Sequence, residues 1–296
     1  SDIVSALEPV APPTQKALFG YGQTGSHSSL TNLVSSSGVV ASDTTGVGTA
    51  RSTLAAASYG GDKAIFGYGN SGSASSLTNL VNNSGVVAAD VTGVGTARYG
   101  LAAAGYGGDK AIFGFGWTGS GSRIATTNLV SNSGVVATDT AGVGTGREAL
   151  AAASYGGDKA IFAFGAPSGY TNVSNLVSNL GVVATDTAGV GTARATAATG
   201  YGTDKAIFAY GYNGGNLSLS NLVSNLGVVA SDTTGVGTSR RQIAAAGYGG
   251  DKALFGYGYV SGKVSMTNLV NNSGVVAADV TGVGTARYDL AAAGYS

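Results

Sequence analysis

At 296 residues, formal net charge zero and only 10% charged residues, the chain lacks the basic field that would attract nucleic acid or an anionic membrane. It has no cysteine, which excludes a disulfide framework, a thiolate metal site and a cysteine nucleophile. The 51 glycines follow no collagen-like triplet and so belong to turns and close backbone contacts. No run of 18 apolar residues occurs, and the N-terminus lacks a basic region before an apolar core, so neither a membrane span nor a signal peptide is expected.

Residues 1–15 (SDIVSALEPVAPPTQ) match nothing else in the chain and hold three of its four prolines, Pro9, Pro12 and Pro13. Prolines at that density favour an extended arm. From Lys16 onward one unit recurs six times. Its marker is Asp62-Lys63-Ala64-Ile65-Phe66-Gly67-Tyr68-Gly69, and the marker lysines are Lys16, Lys63, Lys110, Lys159, Lys205 and Lys252, spaced 47, 47, 49, 46 and 47 residues apart. That period suits one four-stranded antiparallel unit of a propeller-type repeat.

The second unit shows the expected strands. Leu54 to Tyr59 is short and made of small residues, as the strand nearest a crowded axis must be. Lys63 to Gly69 is apolar on both parities, which predicts a strand packed on both faces. After the variable stretch Asn70 to Ser76, the segments Leu77–Val81 and Val86–Asp90 flank Asn82-Asn83-Ser84-Gly85 and read as a hairpin. Leu-Ala-Ala-Ala favours helix in isolation, but each copy is too short to hold one.

No alanine strand precedes Lys16, whereas the chain runs on past Arg287 to Leu290-Ala291-Ala292-Ala293-Gly294-Tyr295. Residues 288–296 therefore supply the strand missing from the first unit, which lets a ring of blades close on itself. The expectation is an all-β, six-bladed propeller over residues 16–296, with four-stranded antiparallel blades. This order of phrases, with Phe66-Gly67-Tyr68-Gly69 ending the second strand, resembles a divergent kelch-type repeat. It carries Gly-Tyr-Gly or Gly-Phe-Gly where that family usually has Gly-Gly, and it lacks the repeated tryptophan. The near-identical "LAAAGYG" and "TNLV" phrases are similar to kelch-like propellers among virion and tail proteins of tailed bacteriophages. The resemblance implies a virion component, as capsid decoration or as a tail or fibre protein. The arm would contact other virion proteins and the body a host-surface glycan or protein. A secreted or surface sugar-binding propeller is the alternative.

Of the 30 charges, 23 repeat with the unit, and a charge present in every blade is more economically structural than catalytic. Arg51, Arg98, Arg147, Arg194, Arg240 and Arg287 each follow an aspartate by eight residues, namely Asp43, Asp90, Asp139, Asp186, Asp232 and Asp279. These are expected to form six structural ion pairs that pin the loops between blades. Their spacing lacks the ligand density of a calcium loop, so no metal and no cofactor is expected.

The charges outside the repeat fall elsewhere. Arg123 and Lys263 lie in variable loops, and Glu148, Arg241 and Asp289 follow the repeated arginine. In an up-and-down blade both kinds of loop emerge on one side. The same loops hold the only histidine, His27, the only tryptophan, Trp117, and the off-repeat tyrosines Tyr170, Tyr212 and Tyr259. Variation gathered on one side of a repeated scaffold is how such a frame presents a binding surface. Catalysis is not expected: His27 has no second histidine, no Gly-x-Ser-x-Gly elbow occurs, and Glu148 and Asp289 belong to opposite sides of the ring.

Overall fold

The computed structural model describes residues 15–296, so the proposed N-terminal arm, Gln15 apart, lies outside the described residues. Among the described residues the regular structure is all β, in six three-stranded antiparallel sheets. Sheet 2 comprises β3 (Ala55–Tyr59), β4 (Lys63–Gly67) and β5 (Thr78–Val81). Sheet 3 has β6 (Ala102–Tyr106), β7 (Lys110–Gly114) and β8 (Thr127–Val130), and sheet 4 has β9 (Ala151–Tyr155), β10 (Lys159–Ala163) and β11 (Ser174–Val177). Longer strands build sheet 5, from β12 (Ala195–Tyr201), β13 (Lys205–Tyr212) and β14 (Asn216–Val223). Sheet 6 likewise holds β15 (Ala244–Tyr248), β16 (Lys252–Tyr259) and β17 (Lys263–Val270). Sheet 1 joins β1 (Lys16–Gly20) and β2 (Thr31–Val34) to β18 (Ala291–Tyr295), with Lys16 opposite Tyr295 and Gly20 opposite Ala291.

The fourth strand is where the structure departs from the expectation. In sheet 2 the segment after the Asn82–Gly85 turn touches β5 only through the bridges Val81 to Val87 and Thr78 to Val91. Between these bridges two residues on β5 face three on the outer segment, so an extra residue breaks the ladder there. The sequence explains this: Val-Val-Ala-Ala-Asp has no period-2 alternation, and Val86 is 61% exposed. Asn79 fills the break, its amide donating to the Ala88 carbonyl at 3.0 Å and to Asp90 Oδ1 at 2.9 Å.

Apolar clusters lie between successive sheets, and one also lies between sheet 6 and sheet 1. Inner strands touch in the order β18, β3, β6, β9, β12, β15 and again β18. All six line a cavity of about 260 Å3, onto which they present mostly alanine and glycine. Packing between sheets is tight: a Cβ on Gly67 would come within 2.6 Å of the Phe113 ring of sheet 3, whereas sheets 4 and 5 accommodate a buried alanine, Ala163 and Ala209, at the same place.

At every junction a fully buried arginine is wedged between two sheets. Arg98 stacks over the Tyr68 ring of sheet 2, 4.3 Å from its centroid. Its donors serve sheet 3: Nε to the Phe115 carbonyl at 2.8 Å, Nη2 to Asn128 Oδ1 at 2.6 Å, and Nη1 to the Thr96 carbonyl at 2.9 Å. Phe115 sits at φ +64°, a left-handed conformation costing on the order of 1–3 kcal/mol in a non-glycine residue. That twist turns its carbonyl onto the guanidinium. Equivalent contacts recur down to Arg287, which stacks over Tyr257 of sheet 6 and donates to the Tyr21 carbonyl and Asn32 of sheet 1.

The ion pairs connect different residues from those the sequence spacing implies. Arg51 faces Asp90 at 3.5 Å, not Asp43 eight residues before it; Arg98 faces Asp139, Arg194 Asp232, Arg240 Asp279, and Arg287 Asp43. Arg147 lies toward Asp186, and no ion pair forms between them within 4 Å. Each aspartate instead binds the threonine two residues before the arginine: Thr49 donates to Asp90 Oδ2 through its hydroxyl at 2.6 Å and its N–H at 3.0 Å. Burial opposes ionisation of Asp90, but hydrogen bonds from Thr49 and Asn79 outweigh it and hold the carboxyl below its usual range. Burial lowers Arg147 and Arg194 to about 10, still charged at neutral pH.

Replacing Arg98 by Met should leave the Phe115, Thr96 and Asn128 acceptors unpaired and cost about 3–5 kcal/mol, the usual effect of breaking a buried charge site. Denaturant unfolding measures this; an unchanged midpoint would contradict the role assigned to the arginine.

Candidate functional site

The variable loops are built by alignment of equivalent positions. In sheet 3 the residue after the buried arginine, Tyr99, bridges Trp117, which in turn bridges Arg123. In sheet 1 the row is Tyr288, Gln23 and His27; in sheet 2 it is Ser52, Asn70 and Ala74. Glu148 bridges Ala166 in sheet 4, and Arg241 bridges Tyr259 in sheet 6. Rows of backbone pairs thus lie at one end of the sheets and fix which side chains become neighbours. Sheet 2 contributes only small residues, whereas sheets 3 to 6 contribute most of the aromatic and charged ones.

Two linked groups result. In the first, Tyr99 and Trp117 pack edge to face with centroids 5.1 Å apart, and Arg123 lies 5.9 Å from the Trp117 ring. Arg123 also donates to Glu148 Oε1 through Nε at 3.0 Å and Nη2 at 2.7 Å, tying sheet 3 to sheet 4. The second group runs from Tyr170 to Tyr212, then through Arg241 to Tyr259 and Tyr288. Arg241 lies between two rings, 4.6 Å from Tyr212 and 4.9 Å from Tyr259. Such stacking of guanidinium on aromatic faces orients a cation while leaving its edge donors for other partners.

Lys263 reaches across to the Thr24 carbonyl of sheet 1. His27 occupies the outer end of the sheet 1 row. Three buried side-chain atoms have no hydrogen-bond partner among the described residues, and all lie at this end: His27 Nδ1 and Trp117 Nε1 in the loops and Asn216 Oδ1 at the start of β14. Such orphans cost about 1–3 kcal/mol each, and their concentration here sets this end apart from the satisfied polar network at the sheet junctions.

Asp289 is the most perturbed group. Gln242 Nε2 donates to its Oδ2 at 2.9 Å, and its backbone takes the left-handed φ of +53°. It sits where the inner strands begin, within a chain of backbone hydrogen bonds in which Asp289 N–H donates to Gln242 O, Thr53 N–H to Asp289 O, Gly100 N–H to Thr53 O, and Ala149 N–H to Gly100 O. Protein encloses the carboxyl on most sides although part of it faces the cavity. This enclosure raises it to about 7, against the smaller opposing effects of Gln242 and Arg241.

Both Glu148 and Asp289 line one cavity of about 510 Å3 at this end, although they start from opposite sheets. Order along the chain separates them, whereas the cavity is narrow enough to bring both to its wall. Of the predicted face residues, Glu148, Tyr170, Tyr212, Arg241 and Asp289 line this cavity, whereas Trp117, Arg123, Tyr259, Lys263 and His27 do not. Tyr99 and Gln242 also line it and escape a search for unusual charges. Their signal is positional, since they occupy the first and second places after a repeated arginine.

Among the described residues no cluster of three or more histidine, cysteine or acidic side chains is placed to hold a metal ion. Among the described residues no helix long and apolar enough to cross a membrane occurs. Compared with known proteins, the chain matches no family model and no curated sequence.

Because the folded pKa of Asp289 exceeds that of an unfolded aspartate, the unfolded state ionises first as pH rises. Stability is therefore lost between about pH 4, the ordinary aspartate range, and the folded value of about 7. Asp289→Asn should gain stability relative to the wild type across that interval, measured as denaturant midpoints at pH 4, 6 and 8. A difference independent of pH would count against the enclosed carboxyl.

Proposed function

We propose that the six sheets are the blades of a closed six-bladed propeller and that the chain is a non-enzymatic binding protein whose varied end makes the contact. Closure is supported by the return of the inner-strand contacts to β18 and by the shared pattern of junctions, sheet 6 to sheet 1 included. Removing Leu290 to Ser296 would take β18 from sheet 1 and should cost far more stability than removing residues 1–14. Equal losses in the two melting curves would argue against the ring. Gln15 is kept in that comparison because its carbonyl accepts the Gly249 N–H at 2.8 Å.

The observation that carries the binding role is the alignment of non-repeated side chains in matched rows at one end. The resemblance of the repeated phrases to kelch-like virion propellers supports a place on a phage particle, in the capsid or tail, with residues 1–14 joining other virion proteins. The partner of the varied end is then a host-surface glycan or protein. A secreted or surface lectin is the second reading, favoured by the mixture of tyrosine rings with hydrogen-bonding groups at the mouth.

A levelled variant gives the test. Tyr99→Ser, Trp117→Asn, Arg123→Ala, Glu148→Ser, Arg241→Ser and Tyr259→Asn install the residue types that sheet 2 has at the same places. The labelled variant should lose adsorption to cells of the source strain's host while keeping its fold by circular dichroism. Undiminished adsorption would remove the varied end from the function.

A further inference from the structure

The mouth at the varied end differs from every junction below it in leaving strong polar groups without partners. Arg241 has no carboxylate within ion-pair distance among the described residues; its one side-chain hydrogen bond is to Gln242 Oε1 at 3.3 Å. Arg123, by contrast, is occupied by Glu148. Asp289 uses one carboxylate oxygen for Gln242, and the other has no hydrogen-bond partner among the described residues. Tyr170, 40% exposed, and Tyr212 meet at 77°, with centroids 6.1 Å apart, and form a corner in the wall.

Its volume, about 510 Å3, falls in the range of about 300–1,000 Å3 usual for small-ligand sites. The lining then selects among ligand classes. An anion would meet Asp289 and Glu148, and a cation would meet Arg241. A purely apolar ligand would strip water from all these groups without replacing its hydrogen bonds. A neutral polyhydroxylated ring avoids each penalty, because its hydroxyls both donate and accept and its C–H face packs on an aromatic ring.

We propose that this mouth binds one neutral sugar residue of a glycan, with Tyr212 and Tyr170 against its C–H face, Asp289 accepting from its hydroxyls, and Arg241 and Gln242 donating to them. The inference rests on the reading of the varied end as a binding face and deepens it. Asymmetry limits the molecule to one such site: the position of Asp289 is held by Thr53 in sheet 2 and Gly100 in sheet 3, and that of Arg241 by Ser52 and Tyr99. Six equivalent sugar sites, the pattern of a repeat that binds in every blade, are excluded by these substitutions.

The test is calorimetric titration of the full chain with neutral gluco-, galacto- and manno-oligosaccharides, alongside sialylated, uronate-containing and phosphorylated ones. At least one neutral saccharide should bind with one site per chain, and Tyr212→Ala and Asp289→Asn should each weaken it by about tenfold or more. Gln242→Ala keeps the test independent of folding, since Gln242 is exposed; it should weaken binding by about threefold or more with an unchanged melting curve. The proposal is overturned if no neutral saccharide binds at about 10 mM, if only acidic ones bind, or if the three variants bind as the wild type does. Loss of cell adsorption in the levelled variant without sugar binding would overturn this inference alone, whereas retained adsorption would overturn the broader reading.

Discussion

A guanidinium taken wholly out of water has to be given a complete set of partners, and six such groups organise this protein. The repeated phrases of the sequence are the pieces of that one arrangement. A Gly or Ala, then Tyr or Phe, then Gly supplies a left-handed aromatic residue whose carbonyl accepts from the arginine of its own sheet and whose ring lies under the arginine of the next. Thr-Asn-Leu-Val, or Ser-Asn-Leu-Val in sheets 4 and 5, supplies the asparagine that accepts from Nη2, and Gly-Thr-x-Arg supplies the threonine carbonyl. The aspartate completes the set at longer range, held mainly by threonine and asparagine. Substituting any one phrase disturbs a junction between two sheets, which gives a physical reason for the phrases to recur together.

Much of the fold was legible because its periodic signals are strong. Alanine-rich inner strands are observed, the doubly apolar strand expected over Lys63–Gly69 is found over Lys63–Gly67, and residues 288–296 complete the first unit through Ala291–Tyr295. Ion-pair partners were not legible, and periodicity is the cause. Every repeated arginine has an aspartate eight residues before it, and Arg51 has another 39 residues on, which it contacts. Sequence spacing cannot distinguish the two; only the stacking of sheets does. The outer segment reads as a full strand because Val86 and Val87 promise β structure, whereas the break that admits Asn79 depends on a side chain from the neighbouring strand.

At the varied end, departures from the repeat identified Glu148, Arg241 and Asp289 as unusual, and these do gather at the mouth. Trp117 and Arg123 were equally conspicuous and form a separate group beside it. Uniqueness therefore located the face but not the grouping within it, which is set by distance from the inner strands. Residues directly after the arginine lie near the mouth, while those farther along lie farther out, Tyr259 and Lys263 on the extended strands β16 and β17 rather than in loops, unless, like Tyr170 in its loop and Tyr212 at the end of β13, they turn inward. A frame stabilised by its junctions leaves these positions free to vary, since none of the varied residues is a partner of a buried arginine.

The break in each outer segment bears on a hazard of this architecture. Six copies of Gly-Val-Val-Ala at the rim, with Val39, Val86, Val135, Val182, Val228 and Val275 all at least 60% exposed, would in a regular strand offer six apolar templates for intermolecular β-pairing. The extra residue interrupts the row of outward N–H and C=O groups, and the aspartate beside it places charge at the interruption. The same irregularity that seats asparagine and aspartate around the arginine thus caps the sheets laterally, so that valine can remain at the rim without seeding fibrils.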